Sequence, residues 1–277
     1  MPIPPTAPRD RQDPLRYIAA VSMSVSASGH PCSGGSIEVN SQLPEGRGFS
    51  SSAALCVATA QAMLASQGAV LTPRRLARIA YEAERERVGV PCGLLDQLAC
   101  AFARPLLIDW GERTPRIHGV RLGAPLHLVV GTFPEPRDTL AILGRLRDLH
   151  EGTGLAGEAR VVRDTLAGWG QSAQEGAQAL ADGEIHRLGA LMNLAQQSYE
   201  EEFASRFDEL KAPRLREACA TLREADALGA KFSGAGGDGS VVALAENKAH
   251  ASALASLLRA MGMEAWSLPT LSPVRGD

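Results

Sequence analysis

Residues 44–55 read PEGRGFSSSAAL, and this string constrains the chain more than any other stretch. Gly46 and Gly48 flank one residue, Ser50, Ser51 and Ser52 follow, and an alanine-rich helical pattern begins. Glycine lets the backbone approach a ligand closely and adopt positive φ. The serines fall where a helix starts, so free backbone N–H groups and the positive end of the helix dipole face outward. Such a start favours an anion, phosphate above all. Serine hydroxyls add donors to phosphate oxygens, or lone pairs to Mg²⁺. A glycine pair alone fits an ordinary Ser-capped helix. The whole string, with proline before it and Ser-Ser-Ser-Ala-Ala inside it, favours a phosphate loop.

The 277 residues suffice for one large domain or two ordinary ones. With 45% hydrophobic and 21% charged residues, a core of useful size is available. A net charge of −3 does not point to nucleic acid or an anionic membrane surface as partner. The five cysteines, Cys32, Cys56, Cys92, Cys100 and Cys219, are odd in number and show no CxxC spacing. They signal neither a disulfide framework nor a zinc site, and reduced cytoplasmic thiols are expected. Cys56 reads as a small core residue. No apolar run approaches the length of a membrane span, and the proline-rich residues 1–13 read as a disordered leader without the apolar centre of a signal peptide.

Residues 14–29 predict a helix, 35–43 an alternating strand, and about 51–66 a helix after the loop. Thr72-Pro73 is a helix start, and that helix is expected to run to about Val88. A short helix over 94–103, buried strands over 105–109 and 125–132, and helices over most of 138–229 follow. Residues 231–244 read as strand, glycine turn, strand, and a helix (about 247–261) and strand (about 263–268) close the pattern. Mixed rather than alternating order favours α+β over a doubly wound sheet.

Two further segments carry chemistry. In ERERVGVPCGLLDQ, Glu84 ends a helix and Asp96 begins the next, twelve residues on and across a turn. Two carboxylates folded into one pocket suit Mg²⁺ coordination and general-base work. The plainer alternatives are a first-turn acid at Asp96 and a surface pair between Glu84 and Arg87. In SGAGGDG (233–239), four glycines between two strands form either a tight hairpin or a glycine loop beside the phosphate loop.

Together these segments resemble the GHMP kinases, the galactokinases especially. PEGRGFSSSAAL looks like the family's second motif, GVPCGLLDQ like the galactokinase segment with the catalytic aspartate, and KFSGAGGDG like the third motif, in family order over roughly residues 14–277. The resemblance implies a GHMP kinase fold, with a ribosomal protein S5 domain 2-like N-terminal part and a ferredoxin-like C-terminal part. It implies that Gly46, Gly48, Ser50, Ser51 and Ser52 cradle ATP phosphates, that Ser52 and Glu84 hold Mg²⁺, and that Asp96 takes the proton of the substrate hydroxyl. Gly234, Gly236 and Gly237 match the glycines that buttress the nucleotide. Asp238 stands where the family more often has glycine, so its charge is expected to point away from phosphate.

The implied activity is transfer of the ATP γ-phosphate to a hydroxyl of a small molecule, a sugar before a mevalonate-type acceptor. The expected domains are residues 14–135 and 136–277, and an oligomer is left open. The family's first motif, resembling PGRVNLIGEHTDY, has no counterpart in residues 1–43. That implies either a truncated reading of an ordinary kinase or a nucleotide-binding homologue with impaired catalysis.

Overall fold

The computed structural model describes residues 15–32, 34–45, 49–111, 114–135, 139–151, 156–234 and 236–273. The expected leader over residues 1–13 lies outside them. The chain divides into two compact units between Arg104 and Pro105. The strand that ends at Thr132 pairs on both sides within the second unit.

The described residues of the first unit form helices only: α1 (Leu15–Ala27), α2 (Ser51–Ala65), α3 (Pro73–Glu82) and α4 (Leu95–Phe102). Thr72 Oγ1 accepts from Arg75 N–H at 3.4 Å and Pro73 opens α3, as the sequence predicts. Leu76, Ile79 and Ala80 turn one face of α3 onto Val21 and Val25 of α1 and Cys56, Ala60 and Leu64 of α2. The helix then widens into a π turn, Ala83–Val88, which ends at Gly89 with φ 84°. Residues 35–43, expected as a strand, pair with no strand among the described residues and lie exposed. Alternation marks a strand only where a neighbour takes its hydrogen bonds.

The second unit carries a hairpin of β1 (Leu106–Asp109) and β2 (Arg116–Gly119), and β3 (His127–Thr132). Four helices follow: α5 (Thr139–His150), α6 (Ala156–Asp182), α7 (Ile185–Ser198) and α8 (Pro213–Glu224). Then come β4 (Gly229–Ser233), β5 (Ser240–Ala245), α9 (Lys248–Ala260) and β6 (Glu264–Ser267). The antiparallel sheet has the order β4-β5-β3-β6, the split arrangement of a ferredoxin-like layer.

Helix α7 seals the exposed edge of β4. Asn193 Oδ1 accepts from Ala230 N–H at 3.0 Å, and Gln196 Oε1 from Phe232 N–H at 2.8 Å. Two amides three residues apart on α7 thus take the hydrogen bonds of an edge that would otherwise pair with another chain. Beyond α7 the chain makes a second π turn, Tyr199–Ala204. Only 4% of residues are aromatic, yet Trp169, Tyr199, Phe203, Phe207 and Phe232 gather here, with the Tyr199 and Phe232 rings 4.5 Å apart. That cluster fixes where Tyr199 points.

Candidate functional site

In the first unit the site is built on three elements. Gly46 and Gly48 lie outside the described residues. Ser50 precedes α2 in the left-handed region, φ 55° and ψ 31°, and its side chain makes no cap hydrogen bond. A non-glycine residue held there costs about 1–2 kcal/mol, and such strain gathers at ligand-binding turns. The Ser50 side chain thus leaves the first N–H groups of α2 uncapped, the condition of an anion-binding helix start. Ser51 and Ser52 are half-buried. Ser52 stands one turn before Cys56 on the same face, and Cys56 lies close enough to feel the charge of Glu84.

Glu84 sits in the π turn, a local geometry frequent at functional sites. It is 2% exposed, and its Oε2 accepts from Gln97 Nε2 at 2.7 Å. No ion pair to it exists among the described residues. The surface pair with Arg87 is therefore not formed: Arg87 Nε donates instead to Ser24 Oγ at 2.7 Å, on α1. Arg85 Nη1 donates to the Cys92 carbonyl at 2.6 Å and pins the turn toward α4. A buried carboxylate without a cation costs several kcal/mol, so the site calls for positive charge.

Asp96 lies exposed in the first turn of α4, where the helix dipole favours a carboxylate. Gln97, the next residue, is fully buried, and its Oε1 has no hydrogen-bond partner. Cys100, one turn along α4, is pushed up by burial and then by the charges of both Asp96 and Glu84. The two carboxylates thus flank one thiol. Burial, then Glu84, also raises Cys56 and Cys92, so all three thiols stay neutral and serve as lining rather than nucleophiles.

Among the described residues no three His, Cys, Asp or Glu side chains cluster to hold a metal alone. Mg²⁺ needs no such cage, since it keeps waters and takes one or two protein oxygens beside phosphates. A buried Glu84 with no ion pair among the described residues fits that ion, and Ser52 lies one turn before Cys56, which feels the Glu84 charge.

In the second unit Gly237 and Asp238 of the glycine-rich segment are held by hydrogen bonds. Gly234, Gly236 and Gly237 all have positive φ, 76°, 85° and 68°. A Cβ on Gly236 would stand 2.5 Å from Tyr199 Oη, so only glycine fits. Tyr199 Oη accepts from Gly237 N–H at 2.8 Å and donates to the Leu210 carbonyl at 2.7 Å. Asp238 turns to the start of α8, where Oδ1 accepts from Leu215 N–H at 3.0 Å. The extra charge in the motif is spent as a helix cap.

Lys231, two residues before the loop, donates to the Phe232 carbonyl and lies 4.1 Å from that ring's centroid. Burial lowers it from 10.5 to about 8. Sequence reasoning passed over Gln97, Tyr199 and the two α7 amides. Only Gln97, next to Asp96, stood within a motif that could have flagged it.

Comparison with known proteins bears on both units. The family model for the GHMP kinases N terminal domain matches residues 16–104, and that for GHMP kinases C terminal matches residues 177–262. The first match ends where the first compact unit ends. The galactokinase of Mycobacterium tuberculosis strain H37Ra is 30% identical over 267 residues, covering 82% of this chain and 69% of the relative. Among solved structures, Lactococcus lactis galactokinase complexed with galactose has a TM-score of 0.69 at 18% identity, covering 96% of this chain and 77% of that one. The mevalonate kinase of L. major in complex with R-mevalonate reaches 0.69 at 21%, covering 93% and 76%.

Proposed function

This chain belongs to the GHMP kinase family, and we propose that it transfers the γ-phosphate of ATP to a hydroxyl of a sugar, as a galactokinase-like enzyme dependent on Mg²⁺. The coarser statement needs no proposal: the family and its galactokinase members are phosphotransferases with an alcohol group as acceptor. The sugar rests on one observation, the 30% identity to a galactokinase across most of the chain. The likeness to mevalonate kinase at 21% identity speaks for the fold alone.

The residues divide the work as follows. Gly46, Gly48, Ser50, Ser51 and the start of α2 would receive the ATP phosphates, and Gly234, Gly236 and Gly237 would buttress the nucleotide. Ser52 and Glu84 would hold Mg²⁺, whose charge offsets that of the phosphates. Asp96, exposed at the first turn of α4, would orient the acceptor hydroxyl and take its proton. The acceptor oxygen bonds to the γ-phosphorus as the bond to ADP breaks. Phosphoryl transfer is chiefly positioning and charge stabilisation, and these residues supply both.

The test is ADP release with galactose, other free hexoses and mevalonate as separate acceptors, with and without EDTA. Turnover with a hexose that EDTA abolishes is expected. Turnover with mevalonate alone would replace the sugar by a mevalonate-type acceptor. ATP binding without turnover on any acceptor would make this a nucleotide-binding homologue and reject the kinase reading.

A further inference from the structure

Gln97 is wholly buried beside Glu84, and its two amide atoms have opposite fates. Nε2 donates to Glu84 Oε2 at 2.7 Å and lies 3.6 Å from Cys92 Sγ. Oε1 is buried with no partner among the described residues. These neighbours fix the amide's orientation: turned over, Oε1 would face the carboxylate, acceptor against acceptor. A core that wanted only packing here would be served by leucine or methionine, as the adjacent, fully buried Leu98 illustrates. An amide with one strong bond to an acid and one open acceptor is instead a polar group half committed.

We propose that Gln97 is a positioning residue for the cation. Its Nε2 locks the Glu84 carboxylate through Oε2 and leaves that residue's Oε1 for Mg²⁺. Its own open Oε1 accepts a hydrogen from a water of the hydrated ion. Because Gln97 and Asp96 are neighbours in the first turn of α4, the same bond ties the cation ligand to the helix that carries the base. This rests on the assignment of Glu84 as a Mg²⁺ ligand. Residues that orient a metal ligand typically change metal affinity by about 10–100-fold when removed.

The experiment measures Mn²⁺ binding by electron paramagnetic resonance in the presence of ADP, with no acceptor, so that it does not depend on turnover. The parent is expected to bind Mn²⁺, and Gln97→Met to bind it about 10–100-fold more weakly with ADP affinity in EDTA unchanged. In a Mg²⁺ titration of turnover, Gln97→Met is expected to raise the Mg²⁺ requirement while excess Mg²⁺ restores kcat, a rescue that a packing defect would not show. Gln97→Leu removes both amide atoms with little change of volume and adds no charge. It is expected to weaken Mn²⁺ binding as well, and it decides the matter where Gln97→Met does not fold. Mn²⁺ binding at parental strength in either folded variant overturns the role of Gln97. Parental-strength binding by Glu84→Gln, or none by the parent, overturns the Glu84 assignment and this inference with it.

Discussion

The described parts of the two candidate sites are held in opposite ways. In the second unit Gly237 and Asp238 are bonded within their own unit: Tyr199 bridges Gly237 and Leu210, and Asp238 caps α8. The site of the first unit is left open. Ser50 is strained and its side chain does not cap α2, and among the described residues Glu84 is buried without a cation and Gln97 keeps a buried oxygen without a partner. A finished hydrogen-bond network marks scaffold, and an unfinished one marks where a ligand's charge belongs.

The contrast can be broken by substitution. The largest stability effect is expected from Gly236→Ala, where a Cβ meets the buried Tyr199 ring and φ is 85°. Overpacking and the left-handed penalty together predict a loss of about 2–4 kcal/mol, read from a urea midpoint. An unchanged midpoint would show that the loop is not held as described. Tyr199→Phe deletes only the hydroxyl and leaves Gly237 N–H and the Leu210 carbonyl unmatched. A loss of about 1–3 kcal/mol is expected.

Lys231 offers a test by pH. Its folded pKa of about 8 lies below its ordinary 10.5, so between those values the unfolded chain holds the extra proton. Stability contributed through this group therefore rises with pH across that window, and the penalty is fully present below it. Lys231→Met should flatten the rise and stabilise the chain at pH 7 by about 1–3 kcal/mol, allowing for the partial exposure of the side chain. Parallel stability–pH curves for parent and variant would refute the shift.

Ser50→Gly probes the open site in the opposite sense. Glycine accepts φ 55° without cost, so the substitution should raise stability by up to about 1 kcal/mol while weakening ATP binding. A fall in stability would mean that Ser50 is part of the scaffold.

Much of the fold was legible in the sequence because the signals were local. Thr72-Pro73 opened a helix, and of the strand–glycine–strand pattern expected at 231–244 both strands formed, as Gly229–Ser233 and Ser240–Ala245. What failed depended on partners. Residues 35–43 alternate like a strand but have no ladder among the described residues, and β2 (116–119) is too short to announce itself without β1. Asp96 and Glu84 were readable as a spaced pair of acids. That Glu84 is buried and Asp96 exposed was not, because a π turn re-aims the first and α4 presents the second. Tyr199 was invisible for the same reason, since its hydroxyl meets a loop 38 residues away in the chain.

The most direct measurement follows ATP and galactose with the parent chain and with Asp96→Ala by ³¹P nuclear magnetic resonance. A sugar kinase with Asp96 as base predicts a new phosphomonoester signal and ADP from the parent, and a rate lower by about 10²–10⁴-fold in the variant. A variant as fast as the parent, or a parent that forms no phosphomonoester from any hexose, would contradict it.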